Sequence, residues 1–287
     1  MARLQKVLVL ADLHIRAKGR TITGADPLTR VSAVLTHALT HHPDAAAMVL
    51  MGDLTDNGLP EEYAELAKLL APVALPIIPM LGNCDDRRAF FAAFPNAPRT
   101  ASGHVQSVHD LAHHRIITLD TLDDRAEAGH GGRLCRDRLA WLDQALAGAT
   151  SRIPLVFTHH PAVPVGMPFL DGIRLAHPRR LLSRLAAHPG AQLFSAHVHR
   201  QISGSHRHVP FTIMHSAWDQ FTLDLARADD ETQTGEPGGY GLLLLGPKGV
   251  IVHSQSVPPA THLRPNTPRP RTKNSRARIG TIGKPQA

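Results

Sequence analysis

Aromatic side chains are scarce in this sequence: eight Phe, two Trp and two Tyr make up 4% of 287 residues. So little ring surface argues against a face that holds nucleic acid by stacking on its bases. Cysteine is scarcer still. Cys84 and Cys135 alone cannot build a disulfide framework for a chain of this length, which points to a reducing compartment. Long apolar runs are missing too, and no stretch approaches the roughly 20 residues of a membrane-spanning helix. The run Val7–Ala11 stops at Asp12, too early for the core of a secretory signal, and no small-residue cleavage site follows. A cytoplasmic location is therefore expected. Acidic residues are absent from His262 to Ala287, where Arg264, Arg269, Arg271, Lys273, Arg276, Arg278 and Lys284 equal the whole formal net charge of +7. The high pI describes this tail and not a basic binding face.

The tail is rich in Pro, Arg, Thr and Asn and nearly devoid of large apolar residues. It cannot bury enough surface to offset its ordering entropy, so residues 262–287 are expected to be disordered. Weak, salt-dependent attraction of the tail to nucleic acid or an anionic surface is the sharper reading of its charge. A flexible solubilising end is the plainer one. Over the whole chain apolar content is ordinary at 43%, enough for a sizeable core. Histidine is abundant at 20 residues. His37, His41, His42, His113, His114, His206 and His208 read as solvated or capping residues.

Through the first two thirds, apolar runs of strand length alternate with segments of helical period. Strands are expected at Val7–Ala11, Ala47–Met51, Ile77–Leu81, Ile153–Thr158 and Gln192–Ala196, with a hairpin between His104 and Asp120. Helices are expected after Asp26-Pro27 and Pro60, over Arg87–Phe94, around Leu139–Leu146, and over Pro178–Ala187. After His199 the chain turns strand-rich, at Phe211–His215, Phe221–Leu225, Tyr240–Leu245 and Val250–Gln255, with Gly246-Pro247-Lys248-Gly249 as a hairpin turn. Two packed sheets with helices outside are the natural architecture for that order.

Five short segments at the ends of these strands carry metal-ligand side chains: Asp12-Leu13-His14, Gly52-Asp53, Gly82-Asn83, His159-His160-Pro161 and His197-Val198-His199. Carboxylate, imidazole and amide oxygen are the donors that hydrolytic divalent metals favour. Asp12 and His14 stand two apart, as do His197 and His199, so on extended backbone each pair shares a face. Gly52 is expected to leave room for the Asp53 carboxylate to bridge. Each segment alone is a weak signal; all five in this order are a specific one.

Taken together, these segments resemble the signature of the calcineurin-like metallophosphoesterases, closest to bacterial class III cyclic nucleotide phosphodiesterases, over about residues 5 to 255. Asn57, in the run Gly52-Asp53-Leu54-Thr55-Asp56-Asn57-Gly58, departs from the Asp-Arg-Gly of the serine/threonine phosphatases. The resemblance implies a four-layer α/β/β/α sandwich over residues 1–261 and a binuclear site for manganese, iron or zinc. It implies that Asp12, His14, Asp53 and His199 hold one ion, and that Asp53, Asn83, His159 and His197 hold the other. The implied substrate is a small phosphodiester, attacked by a hydroxide bridging the metals. The resemblance also leaves a homodimer open. A phosphomonoester or phosphonate ester would suit the same site, and a non-catalytic metal-binding regulator is the reading that Cys84 raises. Cys84 stands where the family has a histidine near the substrate phosphate, and a neutral thiol is a weak donor. Asn83, Cys84 and His160 are the candidate catalytic groups outside pure metal ligation. Ala196 replaces a usual glycine. Asp85 and Asp86 are candidates for orienting the ligands or capping the next helix, and Asp171 for bordering the pocket.

Overall fold

Strand alternation decides which layer each side chain enters. The computed structural model describes residues 4–124, 130–229 and 231–259. It runs β1 (Gln5–Leu10), α1 (Pro27–His41), β2 (Ala47–Met51), α2 (Pro60–Leu70), β3 (Ile77–Met80), α3 (Arg87–Ala93), β4 (Ser107–Asp110), β5 (His114–Leu119), α4 (Arg136–Ala147), β6 (Ile153–Thr158), α5 (Pro168–Gly172), α6 (Arg179–Ala186), β7 (Gln192–Ser195), β8 (Ile202–His206), β9 (Val209–Ile213), β10 (Gly239–Gly246) and β11 (Gly249–Ser256). Leu8, Leu10, Met48 and Leu50 pack outward against Val31, Val34, Leu35 and Ala38 of α1. Their neighbours Val7, Val9, Ala47 and Val49 pack inward, against Ile116, Leu155, Phe157 and Phe194 of the second sheet. The outer face of that sheet, with Ile117, Val156 and Leu193, is covered by Leu139, Leu142 and Leu146 of α4 and by Leu181 and Leu185 of α6. Three apolar layers between four structural ones make the α/β/β/α sandwich. Phe157 and Phe194 stack in its middle layer at 4.7 Å.

The first sheet has the order β11-β10-β1-β2-β3 and the second β4-β5-β6-β7-β9-β8. Strands β1, β2 and β3 are parallel, as are β5, β6 and β7. Their carboxyl ends therefore lie along one edge of each sheet, the usual place for a site in such folds. Local signals set the helices. Asp26 caps α1, its side chain accepting from the Leu28 amide at 3.0 Å, with Pro27 in the first turn.

Phe221–Leu225, expected as a strand, is not one. Only Phe221 makes an isolated bridge, to Gln233, while Leu223 and Leu225 are exposed and Asp224 folds a turn by accepting from the Ala226 and Arg227 amides. Of the alternating apolar residues there, Phe221 is buried and the two leucines face solvent. Strand β8 and the short helix α5 carried no period long enough to be read. No helix among the described residues is long and apolar enough to cross a membrane. The expected disorder of residues 262–287 lies outside the described residues.

Candidate metal centre

The strand ends do not deliver their ligands on extended backbone. Asp12, His14, Asp53, His197 and His199 have φ of +50°, +46°, +45°, +71° and +50°. All five lie in the left-handed region that non-glycine residues rarely enter and that costs of order 1–3 kcal/mol each. The expected extended backbone is thus replaced by left-handed residues, while Asp12 and His14, and His197 and His199, still converge on one site. Backbone bonds lock the first of these segments: Asp12 N to Gly52 O at 3.2 Å, His14 N to Asp53 O at 2.9 Å and Ile15 N to Leu54 O at 3.1 Å.

The structure brings all seven expected ligands together, and their hydrogen bonds determine which atoms face inward. His159 Nδ1 donates to the Met51 carbonyl at 2.8 Å and His199 Nδ1 to the Asp219 carbonyl at 2.9 Å. A carbonyl only accepts, so in each neutral ring Nε2 carries the lone pair. His14 Nδ1 is held by Asp56 at 3.1 Å. With Nδ1 engaged in both rings, His14 Nε2 and His199 Nε2 point lone pairs at each other across 3.1 Å. His159 Nε2 likewise faces the Asn83 Oδ1 acceptor at 3.2 Å. Acceptor against acceptor at such distances calls for a proton or a cation between them. Asp12 Oδ2 and His197 Nε2 are buried and have no partner. Asp12, His14 and His199 form one ligand set, and Asp53 Oδ2 lies 3.6 Å from His14 Nε2 and 3.4 Å from His159 Nε2. One carboxylate oxygen thus stands between two sets, each with an orphaned buried atom. The donors fit a pair of divalent ions.

Glycine makes the approach feasible, though not the glycine expected. A Cβ on Gly82 would sit 2.2 Å from Asp53 Oδ1, whereas one on Gly52 would sit 2.6 Å from His159 Nδ1. Gly82 therefore admits the bridging carboxylate, and Gly52 admits the His159 ring. Asp53 Oδ1 is fixed by the Cys84 amide at 2.8 Å, which leaves Oδ2 free to bridge.

Charge follows from this crowding. Burial alone would raise Asp53, but the charge and hydrogen bond of His159 and the charge of His14 hold it well below the usual carboxylate range. Burial opposes protonation of His159, yet Asp53 and Asp12 raise it to about 9. Burial, aided by Asp53, pushes Asp12 up to about 7 against the pull of His159. Burial and the charge on His159 lower His197 to about 3. The raised His159 and Asp12 both mark a place where positive charge is favoured.

The other candidates separate clearly. Cys84 lines the cavity, and burial together with Asp53, Asp85 and Asp56 raises its thiol well above normal. His160 is fully buried, with Nδ1 accepting from the Thr121 hydroxyl at 2.8 Å and Nε2 donating to the His130 carbonyl at 3.0 Å. Its nitrogens are committed to protein, and it is not on the cavity wall. Asp85 and Asp86 divide the two roles offered to them. Asp85 accepts from the amides of Leu54, Thr55 and Gly82 and from Tyr63 Oη, joining two ligand loops, while Asp86 caps α3 through the Ala89 amide. Asp171 does not border the cavity; it accepts from the Val165 and Gly166 amides. Ala196 sits in the inter-sheet layer with its amide bonded to the His159 carbonyl.

The sequence reading missed Asp56, which holds His14, and Phe221, which stacks on His199 at 4.1 Å. It also missed His130, whose Nδ1 lies 3.1 Å from Asn83 Nδ2. The one sequence signal for His130 is the Gly131-Gly132 pair that follows it.

A family model for calcineurin-like phosphoesterases matches residues 5–201. The chain belongs to that family. It is a metal-dependent phosphoesterase in class, and the resemblance seen in the five segments holds. A probable cyclic nucleotide phosphodiesterase of Rhodopseudomonas palustris is 40% identical over 253 residues, spanning 88% of this chain and 92% of that one. A glycerophosphodiester phosphodiesterase of Enterobacter lignolyticus is 29% identical over 199 residues, 66% of this chain and 69% of that one. A dimetal phosphatase from Danio rerio superposes with a TM-score of 0.66 at 12% identity, covering 88% of this chain and 96% of that one, a likeness of fold.

Proposed function

We propose that this phosphoesterase hydrolyses a small phosphodiester, a cyclic nucleotide or a related diester such as a glycerophosphodiester. Manganese, iron or zinc would be held by Asp12, His14, Asp53 and His199 on one side and by Asp53, Asn83, His159 and His197 on the other. The observation that carries the reading is the single Asp53 oxygen shared between two ligand sets, at 3.6 and 3.4 Å. Bound there, paired cations supply Lewis acidity, which makes water nucleophilic near neutral pH and draws charge from the phosphoryl oxygens.

The protein's own part is orientation. Met51 and Asp219 carbonyls and the Asp56 carboxylate fix three imidazoles with Nε2 inward, so the ligand set is assembled before substrate arrives. His14, Asp53, Asn83, His197 and His199 open onto a cavity of about 300 Å³. Ile22, Phe169, Ile173, Trp218 and Phe221 wall it. A diester carries an organic group on either side of phosphorus, and this apolar wall gives one of them a seat beside the polar centre. The names of the relatives from Rhodopseudomonas palustris and Enterobacter lignolyticus favour diesters of these two kinds.

The test uses protein stripped of metal, reloaded with manganese and assayed on bis(p-nitrophenyl) phosphate beside p-nitrophenyl phosphate. Diester turnover is expected to dominate and to vanish in Asp53→Ala. Undiminished turnover in that variant, or a tenfold preference for the monoester, overturns the assignment.

A further inference from the structure

Hydrolysis of a diester leaves one demand that the ligand set does not meet. As the bond from phosphorus to the leaving oxygen breaks, that oxygen takes the electron pair and needs a hydrogen-bond donor. Cys84 is a poor one: a thiol donates weakly, and its Sγ already accepts from Asn83 Nδ2 at 3.4 Å. His160 has both nitrogens engaged inside the protein. Among the described residues of the cavity wall, His14, His197 and His199 belong to the ligand set, and His130 is the one further imidazole.

The bonding of His130 determines its tautomer. Asn83 Oδ1 faces His159 Nε2, so its NH2 is the end turned outward, 3.1 Å from His130 Nδ1. An amide NH2 only donates, so Nδ1 accepts, and in the neutral ring the proton sits on Nε2. The backbone beneath is pinned. His160 Nε2 donates to the His130 carbonyl, Gly132 N to Arg174 O at 3.4 Å, and Ala176 N to Gly132 O at 2.7 Å. A Cβ on Gly132 would lie 2.3 Å from the His160 ring, so glycine is what lets this segment rest on that ring. The His130 side chain itself is exposed. The result is an imidazole on a hydrogen-bonded backbone, its Nε2–H without a partner among the described residues, on a loop remote in sequence from every expected ligand.

We propose that His130, through Nε2–H, is the hydrogen-bond donor to the leaving oxygen, and that His160 is its positioning residue. The proposal rests on the phosphoester reading above. Water oxygen forms the new bond to phosphorus, the old bond breaks toward the leaving oxygen, His130 stabilises that oxygen, and a solvent proton completes the alcohol.

The experiment compares wild type, His130→Ala and His160→Gln, each loaded with manganese, on methyl aryl phosphates of graded leaving-group pKa. Metal content is measured on every sample, and a thermal melt reports whether the buried His160 variant has folded. His130→Ala is expected to lose little on the p-nitrophenyl ester and about 10²-fold in kcat/KM on the least acidic phenol. The plot of log kcat/KM against leaving-group pKa then steepens at unchanged metal content. Folded His160→Gln is expected to steepen it in the same direction. A role confined to orienting Asn83 would lower all esters equally or release metal, and either result overturns the proposal, as does an unchanged slope. Wild type that turns over only monoesters overturns the diester reading instead; the same slope measured on aryl monoesters then decides the role of His130.

Discussion

Replacing Asp85 by Ala should cost far more than replacing its neighbour Asp86, although both are acids ahead of the same helix. Asp85 is 6% exposed and accepts from three backbone amides, Leu54 at 3.1 Å, Thr55 at 3.2 Å and Gly82 at 2.9 Å. It also accepts from the hydroxyls of Thr55 and Tyr63. Hydroxyls can rotate to other partners, but the amides cannot. Three stranded buried N–H groups, at about 1–3 kcal/mol each with partial relief from entering water, give a loss of about 3–5 kcal/mol. That is a large share of a typical stability of about 5–15 kcal/mol. Asp86→Ala loses one helix cap, worth about 1 kcal/mol. Urea unfolding of metal-free protein is the assay, since bound metal would add its own linkage to the native state. It should be run at pH 8, where Asp85 is ionised even though burial and the Asp53 charge raise it to about 6. A loss below about 1 kcal/mol for Asp85→Ala would refute the claim that this carboxylate holds the two ligand loops together.

Gly82→Ala puts a methyl 2.2 Å from Asp53 Oδ1 and 2.4 Å from its amide, so elemental analysis should find at least one metal per chain missing after reloading; full occupancy would contradict the assigned role of Gly82. Metal affinity should rise with pH. The metal-free His159 is raised to about 9, so below that value a proton competes for Nε2, and the apparent affinity climbs by up to about tenfold per unit until it levels off near pH 9. Chelator competition across pH 6.5–9 reads this, and a flat profile would remove His159 from the ligand set. Asp56→Ala frees His14 Nδ1 and should weaken metal binding by about 10–100-fold while leaving the fold's melting cooperative. Unchanged affinity would mean that His14 does not need its outer partner.

Much of the sandwich was legible because a strand buried on both faces leaves a continuous apolar run, and Val7–Ala11, Ala47–Met51 and Ile153–Thr158 are such runs. The ligand positions were legible because each follows one of those runs or the shorter ones at Ile77–Leu81 and Gln192–Ala196. What the residues could not reveal was backbone sign. Nothing in Asp12-Leu13-His14 separates an extended pair from two left-handed turns, since the lock is the ladder to Gly52, Asp53 and Leu54, some forty positions away. The same gap assigned the carboxylate's room to Gly52, its neighbour in sequence, when Gly82 is its neighbour in space. Phe221–Leu225 alternates like a strand because an aromatic that stacks on His199 and exposed leucines give the same pattern as a half-buried sheet. His130 lay outside any period and became visible only through its contacts with Asn83 and His160.

Four of the seven ligands come from the first sheet and three from the second, and His159 reaches across to the Met51 carbonyl. Greasy side chains fasten the two slabs along their breadth, and ions held by these residues would fasten them at one rim. Such a clasp ties catalysis to cohesion: a chain carrying either slab alone would own half a coordination sphere. The site therefore exists only where both sheets meet, as a property of the seam and of no single segment.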